Sequence, residues 1–271
     1  MTKNGLFAIL IALLIPLVCY FILKKSSDTS VVIPRHFLLD SVIDRTINGK
    51  SISDSIWHKT ASISLVNQLG DSVSLYDHPG KITVIDFFFT HCNSICPTLT
   101  KNMSKLQRSF QNGGDTRIKI DTSVVQFISF SIDADRDSVK AIKDYAVRFG
   151  VIHDNWWMLT GNAKKIAKFA FEELKVDQYS DTPIDSDFVH TNKFVLLDKD
   201  YVVRGYYNGL DTVAISKLAR DIGLLMLEKD KTKKSKIFLE IIDLKWLWAI
   251  IVGLVILFSV FIYLNNKNQR L

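Results

Sequence analysis

The chain has 271 residues, a formal charge of +6 and 48% hydrophobic residues. That length allows one sizeable domain plus additional segments. Three cysteines are too few for a disulfide-built scaffold, and no interleaving of basic and aromatic residues points to nucleic acid.

The apolar content is concentrated at the two ends. Gly5 to Leu23 carries no charge, and neither does Trp246 to Leu264. As helices each would be roughly 28 Å long, about the thickness of a bilayer's hydrocarbon core. The first run follows Lys3, as a signal peptide would, but it is long for a signal core and no small-x-small cleavage pattern follows. Val18 before Cys19 does not suit lipoprotein cleavage, and Pro16 would kink the helix without abolishing it. The expectation is an N-terminal anchor over 1–25 and a C-terminal transmembrane helix over 244–264, with a short tail at 265–271.

Two spans place the middle of the chain on one side of the membrane. Lys24 and Lys25 after the first span and the lysines from Lys229 to Lys245 before the second put that middle in the cytoplasm by the positive-inside rule. The rule weakens for long translocated domains, and the chemistry of the cysteine site favours the outer face. The tract EKDKTKKSK from Glu228 reads as a solvated basic linker over 229–243 that can also meet anionic lipid.

Residues 26–60 contain Pro34 and several Asp and Ser with little periodicity, and read as a tether. A folded domain is expected over 61–228. It opens with an alternating strand at Ala61–Asn67 and a hairpin through QLGDSVSLYDHPG. Lys81–Thr90 (KITVIDFFFT) is apolar on both faces, as a central buried strand should be. A helix follows with Leu99, Met103, Leu106 and Phe110 at helical spacing. Val124–Ile132 is a second central strand, Asp137–Phe149 a helix closed by Gly150, and Trp156–Leu159 a short strand. Asn162 caps a helix to about Leu174. Lys193–Leu197 and Tyr201–Tyr207 form a hairpin across Asp198–Asp200, and Asp211 caps a last helix to about Leu227. This order describes an α/β domain with a mixed sheet flanked by helices. A Cys pair between the first central strand and the next helix points to a thioredoxin-like sheet.

That pair is Cys92 and Cys96 in THCNSICP. Positions i and i+4 share a helical face, and a helix N-terminus favours thiolate over thiol. Two thiolates held together can form a disulfide, bind a soft metal or exchange disulfides with another protein; two buried structural cysteines are the bland alternative. With three residues between them, both sulfurs can face one point without a forced bond. Two thiolates and one imidazole suit copper, giving a Cu(I) site of charge −1 and a neutral Cu(II) site. Zinc would ordinarily want a fourth ligand.

Of the six histidines, His36, His58, His78 and His153 read as surface residues in the tether, a turn and a loop. His91 adjoins Cys92, and neighbours in extended chain point apart. His190 stands just before an apolar strand and is the candidate third ligand. Asp133, at the end of the second central strand, either orients a ligand or simply closes a turn; Arg136–Asp137 reads as a helix N-terminal pair. Phe87–Phe89 and Trp156–Trp157 read as core, with one ring at the mouth of the site, and Thr182–Pro183 as a trans bond in a loop.

Four blocks, in order, resemble the SCO/SenC proteins of copper-centre assembly. They are FFFTHCNSICPTLTKNM, FISFSIDADRDSVKAIKDYAVRFG, WWMLTG and VHT…LLDKD…YYNG, and the match runs from about Ser62 to Leu225. The resemblance implies a thioredoxin-like fold, a membrane tether, and copper ligands Cys92, Cys96 and His190. It also implies delivery of copper to the binuclear CuA centre of cytochrome c oxidase subunit II, or to another copper-accepting protein. Some members instead reduce that centre's cysteines or sense redox state. Asn93 where many members have proline, a long stretch from Gly113 to Thr122, and the second span depart from the pattern.

The leading expectation is therefore a metallochaperone with Cu(I) or Cu(II), on a bacterial cytoplasmic membrane with its domain outside. The lack of an Arg-rich presequence favours bacterial over mitochondrial. The alternative is a thiol–disulfide oxidoreductase using Cys92 and Cys96 as a redox pair, which would not need His190. A peroxidase is weaker, for want of an arginine-supported pocket.

Overall fold

The computed structural model describes residues 14, 20–21, 32–47, 50–111, 124–180 and 191–228. Leu14, Tyr20 and Phe21 apart, the two apolar runs lie outside the described residues, as do the basic linker, Thr182–Pro183 and His190. Among the described residues no helix is long and apolar enough to cross a membrane. The chain divides into two units, Met1–Leu227 and Glu228–Leu271, and the elements named here belong to the first.

Two strands, β1 (Leu39–Ile47) and β2 (Lys50–Trp57), pair antiparallel as a separate two-stranded sheet. Regular structure therefore fills part of the segment read from sequence as a tether. The sequence signal is Asn48–Gly49 between the strands, the dipeptide that tight hairpins favour. The aperiodic Ser and Asp pattern follows from exposure: every described side chain from Leu39 to Thr46 is in solvent, so neither face needs an apolar stripe.

The main sheet has seven strands in the order β4-β3-β7-β6-β5-β8-β9. These are β3 (Ser64–Asn67), β4 (Ser72–Ser74), β5 (Ile82–Phe88), β6 (Val125–Ser131), β7 (Trp156–Thr160), β8 (Lys193–Leu197) and β9 (Val203–Asn208). The pairs β5–β6 and β6–β7 are parallel, while β5–β8, β8–β9, β3–β7 and β3–β4 are antiparallel. Every residue of β5 and β6 is buried, as runs apolar on both faces require. Helices α1 (Cys96–Gln111), α2 (Val139–Phe149) and α4 (Thr212–Leu227) cover one face through Leu99, Met103, Ile142, Tyr145, Leu218 and Ile222. The other face is covered by α3 (Ala163–Lys168), which widens into a π-helical turn at Phe169–Glu173. Helices on both faces of a mixed sheet meet the expectation.

The local signals act as expected. Asn162 caps α3 by accepting from Lys165 N–H at 3.0 Å, and Asp211 caps α4 by accepting from Val213 N–H at 2.9 Å. Gly150 ends α2 at φ +63°, a conformation that suits glycine. For α2 the cap is Ser138, whose hydroxyl accepts from Ala141 N–H at 3.3 Å, which leaves Asp137 free of the helix.

Candidate metal centre

Strand β5 delivers the chain to the cysteine loop, and the loop is pinned from below. Thr90 N–H donates to the Asp137 carboxylate at 3.1 Å, and the Thr90 and Ser131 hydroxyls donate to it as well. Asp137 is itself fully buried, and its carbonyl accepts from Thr160 at 2.8 Å. The Asp137 carboxylate thus ties the residues before Cys92 to the end of β6, and its backbone carbonyl adds the end of β7. Asp133 is bound instead to the side chain of Arg136.

Cys92 and Cys96 are both buried free thiols. Cys96 is the first residue of α1, with Pro97 next, a position in the first turn where proline's missing N–H costs nothing. Cys92 therefore lies in the loop and not on the helix. What brings the sulfurs together is the turn: Cys96 N–H donates to Cys92 Sγ at 3.4 Å, and Ser94 Oγ stands 3.4 Å from the same sulfur. Burial raises the Cys92 pKa, but hydrogen bonds from the Cys96 thiol, from Ser94 and from the two backbone N–H groups outweigh it and bring it down to about 6. Burial pushes Cys96 up, as does its role as donor to Cys92. The pair is chemically asymmetric: one sulfur is a thiolate at neutral pH and the other keeps its proton.

Among the described residues no group of three His, Cys, Asp or Glu side chains is arranged to hold a metal. His91 is exposed, with Nδ1 3.0 Å from Thr90 Oγ1 and 3.8 Å from Asp137 Oδ1. Cys92 beside it is buried, so the neighbours do point apart. His58 bridges Asp40 and Glu173 at 3.0 and 3.2 Å. His36 stacks on Trp57, His78 packs tilted against Trp157, and His153 Nδ1 meets Gln68 at 2.9 Å. His190 lies outside the described residues, but its successor is well placed. The register Thr83↔Leu197, Val84↔Leu196, Ile85↔Val195 sets the start of β8 beside the end of β5 that carries the cysteine loop. Thr191 is buried, and Asn192 C=O accepts from Gly209 N–H at 2.7 Å. Gly209 in turn lies against α1, where Asn102 donates to its carbonyl at 2.8 Å.

Sequence reasoning misjudged Asp137 and missed Asp86. Asp86 sits in the middle of β5, 1% exposed, with no hydrogen-bond partner on either carboxylate oxygen. Burial raises its pKa to about 7, partly offset by the Ser129 hydroxyl nearby. Ser129 Oγ accepts from Trp156 Nε1 at 2.9 Å. The readable signal was an acid inside a strand buried on both faces, where charged residues almost never stand unpaired. Of the rings read as core, Phe87, Phe88 and Trp156 are buried, and Phe89 and Trp157 are half-buried.

The SCO1/SenC family profile matches residues 57–226. The chain belongs to the SCO1/SenC family. It is 30% identical over 175 residues to the SCO1 protein homolog of Bacillus subtilis (strain 168), covering 64% of this chain and 86% of that protein. With the mitochondrial SCO2 homolog of Mus musculus it shares 28% identity over 148 residues, 53% of this chain and 54% of that one. Among solved structures it is similar to a SCO1/SenC family lipoprotein from Bacillus anthracis str. Ames. There the TM-score is 0.53 with 32% identity, over 63% of this chain and 95% of that chain. It is also similar to BsSco, a member of the Sco family of cytochrome c oxidase assembly proteins in which a disulfide switch was identified. In that comparison the TM-score is 0.52 with 29% identity, over 65% of this chain and 98% of that chain. The SCO1/SenC fold in this chain is the thioredoxin-like mixed sheet expected from the order of its elements.

Proposed function

We propose that this chain is a membrane-tethered copper metallochaperone. Cys92, Cys96 and His190 take up one copper ion as cargo and pass it to the CuA centre of cytochrome c oxidase subunit II. The observation that carries this reading is the pair of buried free thiols in the loop after β5, drawn together by the Cys96 N–H donating to Cys92 Sγ, in a SCO1/SenC chain. Soft thiolates select Cu(I), and an imidazole helps retain Cu(II). Binding displaces the Cys96 proton, because a metal ligand must be deprotonated. The register of β8 against β5 supports His190 as the third ligand, since Asn192, two residues on, is tied through Gly209 to α1. Exposure of the loop at His91, Asn93 and Ser94 leaves room for an acceptor's ligands to share the ion during transfer. The domain stands on the outer face of a bacterial cytoplasmic membrane, held by the runs Gly5–Leu23 and Trp246–Leu264.

The test is anaerobic copper titration of the full chain, with a sulfur-to-Cu(II) absorption band as the second readout. One equivalent should bind, and Cys92→Ala, Cys96→Ala and His190→Ala should each abolish binding. Undiminished binding by the His190→Ala protein sinks the three-ligand site.

One observation favours a second reading, a thiol–disulfide reductant. The asymmetry of the pair suits exchange: the Cys92 thiolate attacks a disulfide sulfur of the acceptor, releasing one acceptor thiolate and leaving a mixed disulfide. Cys96, on losing its proton, then attacks Cys92 Sγ and releases the second acceptor thiolate. The acceptor gains two electrons and this chain ends as a Cys92–Cys96 disulfide. His190→Ala should leave this activity intact, which separates the two readings.

A further inference from the structure

The two segments that lead toward the expected membrane spans border one cleft. Residues 32–37 run along the outer edge of β9, where Phe37 N–H donates to Val203 C=O at 3.1 Å and Arg204 donates to Pro34 C=O at 2.6 and 3.0 Å. Helix α4 forms the opposite wall, and its C-terminal end meets the β8–β9 turn, where Lys199 Nζ donates to Met226 C=O at 3.4 Å. Between them is a cleft of about 400 Å³ with Arg35, Arg204, Lys217 and Arg220 in its lining and a single acid, Asp221.

The charges in this cleft are not balanced. Arg204 is buried and neutralised by Asp198 at 2.9 Å. Asp221 accepts from Tyr207 OH at 2.8 Å and meets Arg220 at 3.3 Å. Arg35 lies over the Phe37 ring at 4.7 Å, and Lys217 is exposed with no ion-pair partner among the described residues. Two cations are thus unmatched by an acid at the mouth, with Arg220 shared. Apolar side chains line the same cleft: Val32 is 81% exposed and Ile33 43% exposed. Cations rimmed by exposed aliphatic groups match the boundary between headgroup and acyl chain.

We propose that this cleft binds the phosphate of an anionic phospholipid, seating the β9–α4 edge of the domain on the bilayer. The proposal rests on the membrane tether of the preceding section and is independent of copper. Residues 26–31 separate the expected anchor over 1–25 from Val32, and even fully extended they span only about 25 Å, so the cleft cannot leave the membrane surface by more than the domain's own width. The sequence after α4 adds Lys229, Lys231, Lys233, Lys234 and Lys236, which would attract the same headgroups.

The test uses the detergent-solubilised full chain and native mass spectrometry, titrating phosphatidylglycerol against phosphatidylcholine. Phosphatidylglycerol should be retained and phosphatidylcholine not. The double variant Lys217→Gln/Arg220→Gln, which alters only exposed side chains and keeps the basic linker, should bind phosphatidylglycerol roughly tenfold more weakly. Equal retention by wild type and variant overturns the proposal, and so does inorganic phosphate binding as tightly as the lipid. A dimer that weakens in the variant without lipid loss assigns the cleft to a second copy instead. Alkaline extraction of the full chain from membranes tests the tether by itself: release into the soluble fraction sinks both readings, whereas retention without lipid selectivity sinks only the cleft.

Discussion

Thr90 and Asp137 lie 47 positions apart, and the threonine directs both its backbone N–H and its hydroxyl at the one buried carboxylate. Ser131 adds a third donor. The cysteine loop is thus held by a charge-assisted knot beneath it and not only by its own turn.

Removing the acceptor leaves these donors buried and unpaired. Asp137→Ala should cost about 3 kcal/mol of stability, since each orphaned buried donor costs about 1–3 kcal/mol. It should also loosen the loop, so that Cys92 alkylates faster at a fixed pH. Chemical denaturation and mass-resolved alkylation measure the two effects. A variant as stable as the parent would show that Asp137 does not anchor the loop.

Cys92 should alkylate as a group titrating at about 6. Thiolate is the reactive form, so the iodoacetamide rate climbs as pH rises through about 6 and is flat above it, while Cys96 stays unlabelled. Ser94→Ala removes a donor that stabilises the thiolate and should move the midpoint upward. A midpoint near the ordinary thiol value in the parent chain contradicts the hydrogen-bonded thiolate.

Asp86 makes stability depend on pH in a definite direction. Its pKa is raised from 3.8 to about 7 by burial. Below 3.8 the folded and unfolded chains both hold the proton and nothing is lost. Between there and 7 the unfolded chain releases the proton while the folded chain keeps it, so stability falls by roughly 1.4 kcal/mol per pH unit, in total about 4 kcal/mol. Above 7 the loss is complete. Asp86→Asn should flatten this slope, and denaturation at several pH values from acid to neutral reads it directly. An unchanged slope in the variant means that another group is responsible.

Gly209 is required by contact and not by backbone angle. A Cβ there would stand 2.6 Å from Leu99 Cδ2 and 2.7 Å from Phe194 Cε1. Gly209→Ala should therefore destabilise by about 1–3 kcal/mol, the usual cost of overpacking, and push α1 from the start of β8. Thermal unfolding and copper affinity should fall together. A stable variant with intact copper binding would separate that packing from the metal site.

Most of the sheet was legible because burial on both faces leaves an unambiguous mark: Lys81–Thr90 and Val124–Ile132 could only be interior strands. Caps at Asn162 and Asp211 were equally readable, since they act within a few residues. The β1–β2 hairpin was not, because a ribbon exposed on both faces carries no apolar period, and its one signal, Asn48–Gly49, was passed over. The i, i+4 spacing suggests one helical face for Cys92 and Cys96, but Pro97 marks the first turn of α1 and leaves Cys92 outside it. Asp137 looks locally like part of a helix start, while its partners Thr90 and Ser131 come from the loop after β5 and the end of β6. Long-range partners of that kind leave no trace in neighbouring residues.

The strap of residues 32–37 gives β9 a neighbour it would otherwise lack. A fragment trimmed to the family-matched region, residues 57–226, discards that strap together with the carbonyl that caps Arg204. It would present an open ladder of N–H and C=O groups, the template on which sheets of separate molecules join. Soluble pieces that begin at Val32 or earlier keep the edge closed, whereas shorter ones should self-associate for reasons unrelated to their cysteines.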